Sequence, residues 1–122
     1  MRINIANPIL GDDEIEQVTR VIQSGMIASG PETTKFEFEF SEFIGCKYSC
    51  AVNNGTSALS LSLSALGIGP GDEVITTPMT FVATANSILS CGAKPVFADI
   101  DPETYNLCPK STRKAITNRT KA

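Results

Sequence analysis

Histidine is absent from the 122 residues, and so is tryptophan. Without histidine the chain cannot furnish a Ser-His-Asp or Cys-His catalytic group, nor any zinc site that includes an imidazole. Cations are scarce as well: 10 Lys plus Arg stand against 13 Asp plus Glu, a net charge of −3. That balance provides no basic footprint for nucleic acid and no cationic surface for an anionic membrane. No apolar run approaches the ~18 residues that would span a bilayer. The opening stretch, Met1 to Pro8, lacks the hydrophobic centre of a secretory signal. A cytoplasmic protein is expected, without membrane or nucleic-acid partners, in which the sequons at Asn54 and Asn118 have no role.

The four cysteines, Cys46, Cys50, Cys91 and Cys108, are scattered. A zinc ribbon wants two tight pairs, and only Cys46 and Cys50 lie close together. Reduced structural thiols and no metal are the expectation. With 42% hydrophobic and 19% charged residues the composition is that of a folded chain, and its length suits one domain.

Two amphipathic helices are expected first. Ile15, Val18 and Ile22 recur at helical spacing between Asp12 and Ser24, with Asp12, Asp13 and Glu14 at the positive end and Gly25 as a stop. Phe36, Phe40, Phe43 and Ile44 make the stripe of a helix from Pro31 to Ile44, which Gly45 ends. The rhythm then changes. Short β-prone runs at Tyr48–Asn53, Glu73–Thr77 and Lys94–Ala98 alternate with helical runs at Thr56–Leu66, Phe81–Ser90 and Pro109–Asn118. Strands separated by helices of that length imply crossover connections and a parallel sheet. The expected class is α/β, built as a three-layer α/β/α sandwich. A further strand is expected to begin at Thr120, so the chain reads as a segment of a longer protein.

Chemistry concentrates at one edge. Asn53-Asn54-Gly55-Thr56-Ser57 joins a strand run to a helix run. Gly55 permits close backbone approach, while Thr56 and Ser57 bring hydroxyls to the first amides of the helix, which have no internal acceptor. The stretch is either an ordinary N-cap or a phosphate cradle. In parallel sheets ligands bind beyond the carboxyl ends of strands, where this turn lies. Phe81 follows the next strand run at that same edge, as a core residue at a helix start or as a face for a planar ligand. Asp99 and Asp101 follow the third strand run, and around Pro102 they read as turn and cap residues rather than a catalytic acid pair. Gly67-Ile68-Gly69-Pro70-Gly71 follows a helix and precedes a strand, the reverse of a dinucleotide fingerprint, and reads as a helix stop and turn in which Asp72 bonds amides.

These stretches in order carry a resemblance. Asn54 to Leu59, Gly69 to Ile75, Thr80 to Thr84 and Gly92 to Asp101, with Pro8, Ser24-Gly25, Gly30-Pro31 and Phe36-Glu37 before them, resemble the N-terminal third of the DegT-type nucleotide-sugar aminotransferases. These are pyridoxal-phosphate enzymes of the aspartate-aminotransferase fold, which makes the chain the N-terminal part of that fold's large domain. The resemblance implies that Gly55, Thr56 and Ser57 hold the cofactor phosphate and that Phe81 stacks on its ring. It implies transfer of an amino group from glutamate or glutamine to a nucleotide-linked keto sugar, in cell-envelope polysaccharide or amino-sugar synthesis, by a homodimer with its active site at the subunit boundary. The small-residue loop Met26–Gly30 is then either a plain helix connection or a part of the substrate site through Ser29 and Gly30. The family's cofactor-carrying lysine, the aspartate paired with the pyridine nitrogen and the serine that completes the phosphate site all lie beyond position 122, and none of the six lysines here matches. No catalytic residue is therefore expected within this chain. The rival readings are a non-catalytic regulatory or pseudo-enzyme relative and a simple nucleotide-binding α/β module. A lysine in family context about 60 residues past Ala122, the reach of two further strand–helix units, separates them.

Overall fold

Glycine and proline punctuate the first two helices where their conformational habits place them. A computed structural model describes residues 3–122. Helix α1 (Asp12–Ser24) starts after extended Gly11, whose amide donates to the Glu14 carboxylate at 2.7 Å, and ends at Gly25 in the left-handed region. Helix α2 (Pro31–Ile44) takes proline in its first turn and ends at left-handed Gly45, whose amide returns to the Ser41 carbonyl at 2.9 Å. The expected stripes are present but uncovered: Ile15, Val18, Ile22, Phe36, Phe40 and Phe43 are all exposed.

The segment after α2 departs from expectation. Tyr48–Asn53 is irregular rather than a strand. Its polar groups are spent on α2: the Ala51 amide donates to the Glu37 carboxylate at 2.8 Å, and the Ser49 hydroxyl donates to the Glu37 carbonyl. A β-prone run becomes a strand only where a neighbouring strand takes its backbone groups.

Residues Met1–Ala51 and Val52–Ala122 form two compact units. In the second, α3 (Gly55–Ala65), β1 (Glu73–Thr76), α4 (Ala83–Ser90), β2 (Lys94–Phe97) and α5 (Pro109–Ala115) follow in order. β1 and β2 pair in parallel, Val74 opposite Pro95 and Ile75 opposite Val96, so the class is α/β, as the alternation predicts. On its other edge β1 receives the chain end in parallel: the Glu73 amide donates to the Arg119 carbonyl and the Ile75 amide to that of Ala122, both at 2.8 Å. At the position where a further strand is expected to begin, the structure has a single parallel bridge, Glu73 to Thr120, beside the two-stranded sheet. Helix α4 packs on β1 and β2 and also against α3. The core is Ile68, Val74, Ile88 and Ala93, with Leu63 packed on it. Gly92 shows how tightly the return from α4 to β2 is drawn. Its φ is +78°, and a Cβ there would lie 3.0 Å from Pro70 Cγ. Gly92→Ala combines left-handed strain with that collision and is expected to destabilise the protein by about 1–3 kcal/mol, read as a lower urea midpoint with an unchanged slope.

Glu73 is the buried ion of this unit. Its carboxylate takes Arg119 at 2.7 Å, Lys94 Nζ at 3.3 Å and the Thr117 hydroxyl at 2.6 Å. The Thr117 bond also explains why α5 stops at Ala115, short of the Asn118 suggested by sequence: Thr117 turns away to Glu73, and its amide donates to Thr120 Oγ1 at 2.9 Å. The Thr117 hydrogen bond, and after it Lys94 and the Arg119 charge, hold the Glu73 pKa below its ordinary 4.5, against the opposing pull of desolvation. The native pKa is the lower one, so this contribution to stability is present above the ordinary value of 4.5 and is lost as pH falls through the native one. Glu73→Gln is expected to lower the melting temperature at neutral pH and to flatten the acid limb of the stability profile. A calorimetric pH series on both proteins checks this.

Candidate functional site

Helix α3 opens on Asn54, not on Thr56 or Ser57. Asn54 is extended, and its side-chain oxygen accepts from the Ser57 amide at 2.8 Å, the ordinary work of an N-cap. The Ala58 amide reaches the Asn54 carbonyl at 3.1 Å. Among the described residues no acceptor meets the amides of Gly55 and Thr56, which sit at the positive end of the helix. A Cβ built on Gly55 meets nothing within 4 Å, so open space lies against this backbone.

Phe81 arrives from the carboxyl end of β1. The turn is held by the Met79 amide on Thr77 Oγ1 at 3.1 Å and by the Thr80 and Thr84 hydroxyls, 3.2 Å apart. The Thr84 amide donates to the Phe81 carbonyl at 3.1 Å, and α4 proper begins at Ala83 rather than at Phe81. Phe81 is 77% exposed, which removes it from the core. It lines a cleft of about 540 Å³ together with Gly55, Thr56, Leu59 and Thr84. Of the residues read from sequence as phosphate turn and ring face, Gly55, Thr56 and Phe81 line this one cavity, and Ser57 does not. Its chemistry is two free helix-start amides and a threonine hydroxyl for an anion, beside an aromatic face and apolar walls for a flat ring.

Ser57 is only half-exposed and its amide is taken by Asn54, so Gly55 and Thr56 carry the open part of the turn. Ser29 and Gly30 belong to the Met1–Ala51 unit. There Gly30 caps α2 and lines a separate cleft of about 230 Å³ with Arg20, Met26 and Glu32, the Arg20–Glu32 pair closing at 3.0 Å. Asp101 is turn chemistry: its carboxylate accepts from the amides of Thr104 and Glu103 at 3.1 and 2.9 Å, bonds that hold its pKa down. Asp99 accepts from its neighbour Ile100 and donates its amide to Ser111. Asp72 takes the Gly69 amide at 3.0 Å. All four cysteines are free thiols, and no cluster of metal-ligating side chains occurs among the described residues. Nor is any described helix long and apolar enough to cross a membrane.

Two features of the cleft were not read from the sequence. Asn54 as the cap was signalled by its position before glycine at a helix start. Thr84 was signalled by its four-residue spacing from Thr80, which places both hydroxyls at the start of α4.

The fold and cleft define a class: an α/β protein with a parallel strand pair and an open cleft between the starts of two helices. The chain belongs to the DegT/DnrJ/EryC1/StrS aminotransferase family, which matches residues 8–122. It is 53% identical over 115 residues to the spore coat polysaccharide biosynthesis protein SpsC of Bacillus subtilis, covering 94% of this chain and 30% of that protein. It is 51% identical over 105 residues to the UDP-2-acetamido-2-deoxy-3-oxo-D-glucuronate aminotransferase of Pseudomonas aeruginosa, covering 86% of this chain and 29% of that one. Among solved structures, NtdA of Bacillus subtilis with bound cofactor PMP superposes with a TM-score of 0.85 at 38% identity, over 92% of this chain and 27% of that one. The chain spans about a third of the length of the curated relatives it matches (30%, 29% and 33% for three of them).

Proposed function

We propose that this chain is the part of a nucleotide-sugar aminotransferase that holds the phosphate and ring of pyridoxal phosphate. The observation that carries the reading is the α3–α4 cleft, where the free amides of Gly55 and Thr56 and the bare face of Phe81 share one cavity. The fit is specific in kind. A phosphate needs donors at a positive helix end and no side chain in its way, and Gly55 leaves the space open. A pyridine ring needs a flat apolar face, and Phe81 is uncovered. When bound, the cofactor supplies the electron-withdrawing ring through which an amino group passes from donor to acceptor. The chain's own share is to hold it: Thr56 donates to the phosphate with its amide and hydroxyl, Ser57 stiffens the turn through Asn54, and Phe81 fixes the ring plane.

The amino donor in this reading is glutamate or glutamine and the acceptor a nucleotide-linked keto sugar, the acceptor class that the name of the Pseudomonas aeruginosa relative carries. The enzyme works in the cytoplasm as a homodimer, and the Ser29–Gly30 loop reaches the substrate at the subunit boundary. None of the six lysines here matches the family's cofactor-carrying position, so these 122 residues by themselves are expected to be inactive. Full-length enzyme incubated with pyridoxal phosphate, glutamate and a UDP-linked keto sugar is expected to form the amino sugar. The 122-residue chain alone is expected to match the rate of free cofactor. No product from the full-length protein with any keto-sugar nucleotide and either donor would overturn the enzymatic reading in favour of a binding or regulatory relative.

A further inference from the structure

We infer that Ser87 is a positioning residue of the α3–α4 cleft: its hydroxyl fixes the start of α3, and with it Thr56, against α4. This rests on the reading of that cleft as the cofactor site. Ser87 is 1% exposed, one of the most deeply buried side chains in the second unit. Its single hydroxyl proton is shared: the main bond goes to the Ala83 carbonyl of its own helix at 2.7 Å, and a weaker branch reaches the carbonyl of Thr56 at 3.4 Å across the helix contact. One turn further on, the Cys91 thiol repeats the arrangement, 3.5 Å from the Ser60 carbonyl and 3.6 Å from the Ser64 hydroxyl. Thr56 pairs with Ser87 and Ser60 with Cys91, a step of four on each side. The two segments therefore run in the same direction, and both helix starts open at the same edge.

That register has a consequence at the site. The amides and hydroxyl of Thr56 sit on α3, whereas Phe81 and Thr84 are carried by the start of α4. The distance from phosphate donors to ring face is set wherever the two helices are locked together. Ser87 locks them on the first turn of α3, within the same residue that faces the cleft, and Cys91 does so a full turn away.

The test uses full-length holoenzyme and reads the bound phosphate directly. Phosphorus NMR of the cofactor and a fluorescence titration of its affinity are recorded for wild type, Ser87→Ala, Ser87→Cys, Cys91→Ala and Thr56→Ala, with a thermal melt for each. Ser87→Ala is expected to shift the phosphorus resonance and weaken affinity about twofold, the worth of a weak, shared hydrogen bond to α3. Ser87→Cys, which keeps a weak donor of the kind Cys91 uses, is expected nearer to wild type. Cys91→Ala is expected to lower the melting temperature while leaving the resonance in place. A Ser87→Ala resonance and affinity equal to wild type, with Thr56→Ala still impaired, would overturn the positioning role and leave the site intact. Equal shifts from Ser87→Ala and Cys91→Ala would reduce Ser87 to general packing. Wild-type behaviour of Thr56→Ala would overturn the cofactor-site reading and the role of Ser87 with it.

Discussion

Thr56→Ala is expected to weaken retention of pyridoxal phosphate by about tenfold or more, because a charge-assisted hydrogen bond to a dianion is worth roughly 1.5–3 kcal/mol and each ~1.4 kcal/mol is a factor of ten. The fold is left nearly untouched. Thr56 is exposed, and the cap of α3 is Asn54, so removing the hydroxyl takes away no helix contact. Asn54→Ala has the complementary signature: loss of the cap costs about 1 kcal/mol of stability, and the Ser57 amide loses its acceptor. Cofactor titration beside a thermal melt separates the two. A Thr56→Ala protein with lowered stability and wild-type affinity would make Thr56 a structural residue of the helix start.

On the proposed reading, Phe81→Ala is expected to remove the ring face. Stacking contributes about 0.5–1.5 kcal/mol beyond the area buried, so affinity is expected to fall about fivefold. Turnover is expected to fall further than affinity, because a ring free to tilt no longer presents the reacting groups in one geometry. Phe81→Tyr keeps the face and is expected to retain both. Stability is again the control: at 77% exposure Phe81 contributes little to the core, so Phe81→Ala melts close to wild type. Single-turnover kinetics with saturating cofactor isolate the orientation effect. Equal rates for Phe81→Ala and wild type under those conditions would deny Phe81 any contact with the ring.

The parts of the fold legible in the sequence are those with local causes. Helices α1 and α2 begin and end where Pro31, Gly25 and Gly45 put them, since a fixed φ or a left-handed residue acts within one turn. The parallel pair β1–β2 followed from alternating strand and helix lengths. What escaped had its cause elsewhere in the chain. Tyr48–Asn53 has strand composition, but Glu37, more than ten residues away, takes its backbone and hydroxyl donors. The end of α5 is decided by a buried carboxylate on β1 that captures Thr117. The stripes of α1 and α2 announce faces that seek cover, and amphipathic spacing alone does not name what covers them. In the site, the Gly-Thr turn and Phe81 stood out because both residue types have chemistry suited to a strand's carboxyl end. Ser87 did not: one serine in a helix reads as nothing until its burial against α3 is known.

The crystal structure of the full-length enzyme loaded with pyridoxal phosphate tests the central claim most directly. The cofactor's phosphate should lie within hydrogen-bond distance of the Gly55 and Thr56 amides and the Thr56 hydroxyl, with its ring parallel to that of Phe81. A phosphate bound away from the start of α3, or a ring that does not touch Phe81, would contradict it.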